Sequence, residues 1–134
     1  MILADTSAWG ELYRRTGSPT HRAMANLLAE RAALAVTEPV VMELLGARRS
    51  TRQLAHVRRR LLSLTMLRVG GLEMYERAAA IHRTCRIQGE TIRSSIDCLI
   101  AAVAIREGVP ILAADRDFEA IARHTALRLE PVTA

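Results

Sequence analysis

Five acidic residues stand where apolar stretches stop or turn. Asp5 follows Met1-Ile2-Leu3-Ala4, and Glu43 sits among Val40, Val41, Leu44 and Leu45. Asp97 comes just after Ser94-Ser95-Ile96, and Asp115 and Asp117 follow Ile111-Leu112-Ala113-Ala114. A carboxylate placed among apolar residues needs a partner, because burying it alone is expensive. If these acids converge, their mutual repulsion calls for a hard divalent cation. Mg²⁺ or Mn²⁺ suits, since it takes oxygen ligands and needs only one or two direct carboxylates. The chemistry such a cation offers is activation of water and stabilisation of charge on phosphoryl oxygens. Each acid also has a plain structural reading. Asp5 suits an Asx turn, Asp97 closes a capping box with Ser94, Asp117 suits a helix N-cap, and Glu43 suits the wet side of a helix.

The elements that must position these acids alternate in type. Short apolar runs at Met1–Ala4, 33–36, 65–69 and 111–114 read as strands, with a last edge strand at Leu127–Leu129. Between them, helical spacing covers Ala8 to about Arg15 with Ser7 as its cap, and His21–Arg31 after the break at Gly17-Ser18-Pro19. Further helices run from Thr37-Glu38-Pro39 to Gly46, through Leu54, Val57 and Leu61, and from Leu72 to about Gln88 with Tyr75, Ala78, Ala79 and either Cys85 or His82 inward. Ile96–Arg106 and Phe118–Arg123 complete the set. Unbroken apolar strands interleaved with helices predict an α/β fold, a three-layer α/β/α sandwich around a short parallel sheet. In such a sheet, Asp5 and Asp115 end their strands at the carboxyl edge, where open α/β folds bind ligands.

Composition narrows the class. The 134 residues predict a single domain, 1–134, with a sizeable core. No apolar run nears the roughly 20 residues that span a bilayer, and Asp5 interrupts the N-terminal run too early for a signal peptide. The expectation is a cytoplasmic protein without a membrane partner. Cys85 and Cys98 form no CxxC or zinc spacing and read as reduced thiols. All 19 basic residues are arginine, which excludes lysine-dependent chemistry and suits bidentate phosphate contact. Arg48, Arg49, Arg52, Arg58, Arg59 and Arg60 lie in a stretch without any acid between Glu43 and Glu73. Such a run is either a solvated helix face or an RNA-binding surface, and the unopposed charge favours RNA. Aromatics are only 3% of the chain, which disfavours stacking platforms. Trp9, beside Ala8 and Leu12, reads as packing.

Four segments, in this order and spacing, resemble the PIN-domain ribonucleases, and most closely the VapC toxins of bacterial toxin–antitoxin pairs. They are Ile2-Leu3-Ala4-Asp5-Thr6-Ser7-Ala8-Trp9, Thr37-Glu38-Pro39-Val40-Val41-Met42-Glu43-Leu44-Leu45, Ile92-Arg93-Ser94-Ser95-Ile96-Asp97-Cys98-Leu99-Ile100-Ala101-Ala102, and Ile111-Leu112-Ala113-Ala114-Asp115-Arg116-Asp117-Phe118. The resemblance implies a Mg²⁺- or Mn²⁺-dependent endoribonuclease acting on structured RNA, transfer RNA or a ribosomal RNA loop. It implies Asp5, Asp97 and Asp115 as metal ligands, with Glu43 holding a water or acting as base and Asp117 in support. Thr6 and Ser7 are expected to bond Asp5 or the scissile phosphate. Arg93 and Arg116 either clamp that phosphate or neutralise the acids, and Arg48, Arg49 and Arg52 are expected at the substrate. Implied partners are a VapB-type antitoxin and a second copy of the chain, on the apolar faces of the helices at 21–32 and 40–64. One departure is Ala113-Ala114, where the family often carries a hydroxyl before the acid. A strand-end-aspartate phosphatase or phosphoacceptor domain is the rival reading. It fits less well, because such domains usually bring a lysine to the phosphate, and the phosphatase motif requires Asp-x-Asp where this chain has Asp5-Thr6-Ser7. A catalytically silent PIN-like RNA-binding module is the other rival, against which stands the presence of all the acids.

Overall fold

A computed structural model describes residues 1–133. Four strands form one sheet in the order β3-β2-β1-β4: β1 (Ile2–Ala4), β2 (Leu34–Val36), β3 (Thr65–Met66) and β4 (Ile111–Leu112). Every pairing is parallel, with Leu3 opposite Ala35 on one side and Ile111 on the other. The seven helices among the described residues are α1 (Thr6–Tyr13), α2 (Pro19–Ala29), α3 (Glu38–Leu45), α4 (Thr51–Leu62), α5 (Leu72–Ile87), α6 (Ser95–Glu107) and α7 (Asp117–His124). The chain steps from β1 to β2 to β3 in one direction, then returns across the sheet to β4. Right-handed crossovers therefore put α1–α4 on one face and α5–α6 on the other. This is the three-layer parallel architecture that the alternating pattern predicts.

The core explains why the strands are unbroken apolar runs. Leu3, Ala4, Ala35, Val36, Ile111 and Leu112 are fully buried, because helices cover both faces. Helix α6 is almost as deeply enclosed, with every residue from Asp97 to Ala104 buried. Trp9 is fully buried and stacks on Tyr13, so the packing reading holds.

Several boundaries differ from expectation, each for a local reason. Asp5 rather than Ser7 caps α1, its side chain accepting from the Ser7 N–H. Gly17-Ser18-Pro19 opens α2 rather than merely ending its predecessor: Ser18 caps the His21 N–H, and Pro19 takes the first helical position, where its missing N–H is no loss. Thr37 occupies the N-cap of α3 but makes no side-chain cap, since one of the two N–H groups such a cap binds belongs to Pro39 and is absent. The strand expected at 65–69 pairs only over Thr65–Met66, plus the Leu67 N–H donating to Val36. The strand at 127–129 reduces to one bridge, Leu129 to Ile111. Gly89 lies just past α5 at φ +85°, and the Glu90 N–H reaches back to Cys85. That closure is a Schellman motif.

Helix α5 buries the expected Ala78 and Cys85 but not the expected Tyr75 and Ala79. Met74, Ala78, Ile81 and Cys85 are buried, whereas Tyr75 and Ala79 face out. These two, with Ile96 and Leu99, line an open groove of about 560 Å³ between α5 and α6.

Ile100 is fully buried in α6, the helix that carries Asp97. Ile100→Ala is expected to lower unfolding stability by about 2–5 kcal/mol, as large-to-small core changes do. Urea denaturation followed by circular dichroism measures it.

Candidate metal centre

The acids converge because β1 and β4 are neighbours. Both run the same way, so Asp5 and Asp115 leave the sheet at the same carboxyl edge, where the strand order reverses. Helix α6 runs back antiparallel to β4, so its first turn, with Asp97, opens at that edge too. Asp97, Asp115 and Asp117 each place a carboxylate oxygen within 4.8 Å of the others. Asp5 and Glu43 lie outside this tightest trio, but their charges reach it, since both push the Asp97 pKa upward. Asp117 thus joins two of the three expected metal ligands, Asp97 and Asp115, in the tightest group, while the third, Asp5, exerts the largest single charge effect on Asp97.

Each carboxylate has its own setting. Asp5 is buried, and its Oδ2 accepts from the Ser7 N–H at 2.9 Å and the Ser7 hydroxyl at 2.6 Å. Its Oδ1 is buried without a partner among the described residues. Burial raises the Asp5 pKa, while the Ser7 and Thr6 hydrogen bonds pull against it. Asp5 is therefore a helix cap through one oxygen and an unanswered buried acceptor through the other. Glu43 is half-buried and accepts from the Thr6 hydroxyl at 2.7 Å. The capping box at Ser94 does not form, because Ser94 makes no side-chain cap, and Asp97 is left to face the cluster. Desolvation first, then the charges of Asp5, Asp115, Glu43 and Asp117, push the Asp97 pKa up to about 7. Asp117 does not cap α7 either, since Arg116 holds that position. Asp115 does part of that job, its Oδ1 accepting from the Asp117 N–H at 2.9 Å.

The hydroxyls and arginines sort accordingly. Thr6 and Ser7 are engaged by Glu43 and Asp5, and Ser7 Oγ also accepts from the Ala114 N–H at 2.9 Å. That last bond ties the end of β1 to the end of β4, a link over 107 residues that no local sequence signal announces. Arg93 lies on the acids: its Nε donates to Asp117 and its Nη2 to Asp115, each at 3.1 Å. Arg116 is exposed. Arg49 is committed to structure, donating to the Leu44 carbonyl and lying over the Tyr13 ring. Arg48, Arg52, Arg58 and Arg59 are exposed, and none pairs with an acid among the described residues. The large exposed apolar residues include Met42 and Leu62 on the expected partner helices, and also Leu72, Tyr75 and Ile87 on α5.

The donor set fits a hard cation. It is all oxygen, it includes an unpartnered buried carboxylate oxygen at Asp5, and burial together with the neighbouring like charges pushes the Asp97 pKa up to about 7.

Fold and site together define a parallel α/β domain with an acidic cluster at its sheet edge, and comparison with known proteins makes this specific. The PIN domain family matches residues 2–124. The VapC ribonuclease Mb1587 of Mycobacterium bovis is 44% identical over 129 residues, covering 96% of each chain, and so is the ribonuclease VapC11 of Mycobacterium tuberculosis. Among solved structures, VapBC from Salmonella typhimurium superposes with a TM-score of 0.73 at 20% identity over 96% of both chains. VapC20 of Mycobacterium tuberculosis, a sarcin–ricin loop cleaving toxin, superposes at 0.69 with 25% identity, over 96% of this chain and 99% of that one. The chain belongs to the PIN-domain family, on its VapC branch.

The raised Asp97 pKa has a signed consequence for stability. An acid whose folded pKa exceeds its unfolded value of 3.8 binds more protons folded than unfolded between that value and about 7. Its contribution to stability therefore falls as pH rises through that window. In chelator, Asp97→Asn is expected to raise the melting temperature more at pH 8 than at pH 5. A melting series across pH, with equal shifts at both ends as the contrary result, decides this.

Proposed function

We propose that the chain is a Mg²⁺- or Mn²⁺-dependent endoribonuclease and the toxin of a type II toxin–antitoxin pair, working in the cytoplasm on structured RNA. The observation that carries this reading is the trio Asp97, Asp115 and Asp117 within 4.8 Å, at the sheet edge where Asp5 also ends its strand. Kinship with VapC ribonucleases supports the RNA substrate, and the VapBC complexes among its structural neighbours support a VapB-type antitoxin. Transfer RNA and a ribosomal RNA loop are the substrates of first choice, the second because the related VapC20 cleaves the sarcin–ricin loop.

Asp97 and Asp115 would hold the cation, with Asp5 offering its free oxygen. When bound, the cation supplies Lewis-acid stabilisation of phosphoryl charge and acidifies a water. This chain's own residues do the rest. Thr6 holds Glu43 at the cleft as the candidate base, and Ser7 holds Asp5. The exposed Arg48, Arg52, Arg58 and Arg59 attract the RNA backbone toward a cleft that is itself acidic, with Arg116 at its margin. Hydrolysis by an activated water leaves the ribose 2′-hydroxyl without a role as nucleophile. The antitoxin and a second copy of the chain have exposed apolar residues to bind at Met42, Leu62, Leu72, Tyr75 and Ile87.

Purified protein is expected to cleave RNA with Mg²⁺ or Mn²⁺ and to stop in chelator. Asp5→Ala and Asp97→Asn should each lose about 100-fold or more, since metal-based stabilisation is worth several kcal/mol. Cleavage at the wild-type rate in either variant, with folding verified by circular dichroism, removes the site assignment. Mapping cleavage ends after brief expression without antitoxin identifies the RNA.

A further inference from the structure

The Arg93 guanidinium sits on the very carboxylates to which a dication is assigned. It spans Asp115 and Asp117 with two side-chain hydrogen bonds, and its backbone N–H adds a third, to Asp117 at 3.2 Å. The segment carrying it is fixed independently. Glu90 pairs with Arg123 and His124 of α7, the His82 ring bonds the Ile92 carbonyl at 3.1 Å, and Ile92 itself is buried. The backbone is thus pinned by contacts outside the cluster, while the side chain is 67% exposed and has room to turn away.

Resting on the proposed metal site, we infer that Arg93 is a built-in counter-cation of the acid cluster, in direct competition with the divalent metal for Asp115 and Asp117. A fixed positive charge this close to the ligands opposes a dication whichever carboxylate oxygens the metal takes. Binding of metal loosens the guanidinium, and by reciprocity the guanidinium weakens the metal. Arg93 therefore sets the metal concentration at which the site loads. It is a positioning and tuning residue rather than a permanent clamp on the substrate phosphate.

The test is Mn²⁺ affinity of the whole protein without RNA, read by electron paramagnetic resonance or calorimetry. Arg93→Gln is expected to bind Mn²⁺ about tenfold more tightly, the scale for one charge about 6 Å from a dication in water-like surroundings. Mn²⁺ should also raise its melting temperature by more than that of wild type. Arg93→Lys keeps the charge but cannot fork between two carboxylates, and should tighten by less. Arg86→Gln, on the exposed side of α5, controls for net charge and should change affinity by less than about twofold. A Mn²⁺ site lost in Asp97→Asn but unchanged or weakened in both Arg93 variants overturns the inference alone, as does equal tightening by Arg86→Gln. Equal Mn²⁺ binding by wild type and Asp97→Asn overturns the site reading and this inference with it.

Discussion

Like charges crowded at one edge of a sheet are the constraint on which the rest of this structure depends. Bringing Asp97, Asp115 and Asp117 within 4.8 Å, with Asp5 and Glu43 beside them, is unfavourable in itself. The fold offsets it locally, acid by acid. Asp5 stands at the N-terminus of α1, Asp97 in the first turn of α6 and Asp117 in the first turn of α7, each at the positive end of a helix dipole. Glu43 lies too far along α3 for that help and takes the Thr6 hydroxyl instead. Asp115 takes a backbone N–H and Arg93. Asp97 has the least direct compensation, and it is the acid whose pKa rises to about 7.

The apolar part of the molecule exists to hold that edge still. Strands of two or three residues give few ladder hydrogen bonds, so the rigidity of β1, β2 and β4 comes from burial, while Thr65 on the edge strand β3 is exposed. Ser7 ties the two strand ends together at that edge, bonding Asp5 on one side and the Ala114 N–H on the other. Ala113-Ala114, where the family often has a hydroxyl, thus still offers a bond to the site, through the backbone of Ala114 and not through a side chain.

How far this was legible follows from what each feature depends on. The parallel sheet was readable because strands buried on both sides must be unbroken apolar runs, and Met1–Ala4 and Ile111–Ala114 are. The convergence of Asp5 and Asp115 was readable because strand ends share an edge once the sheet is parallel. Helix faces were less so. On α5, apolar residues occur all round, so spacing puts Ala78 and Cys85 inward correctly but also Tyr75 and Ala79, where Met74 and Ile81 are the residues that pack. Caps failed where a side chain had two possible employers. Ser94 with Asp97 is a sound capping box in isolation, and only the tertiary cluster draws Asp97 away. The Ser7–Ala114 bond and the Glu90–Arg123–His124 knot join segments far apart in sequence, and composition carries no trace of them.

The arginines divide by the same electrostatic logic. With 19 of them and no lysine, the chain carries +5 overall while keeping its most negative group of side chains at the functional edge. Arg49 is spent on Tyr13 and Leu44, and Arg93 on Asp115 and Asp117, whereas Arg52, Arg58 and Arg59 on α4 pair with no acid among the described residues. A polyanion is therefore drawn to the chain by α4 and repelled at the cleft, unless the acids there are first neutralised. Arg93 supplies only one charge to the cluster. A divalent cation would supply two, so on the proposed function loading the site with metal would also make the edge more receptive to a phosphodiester. On this view metal and RNA cooperate by charge alone, before any bond to a reacting oxygen is considered.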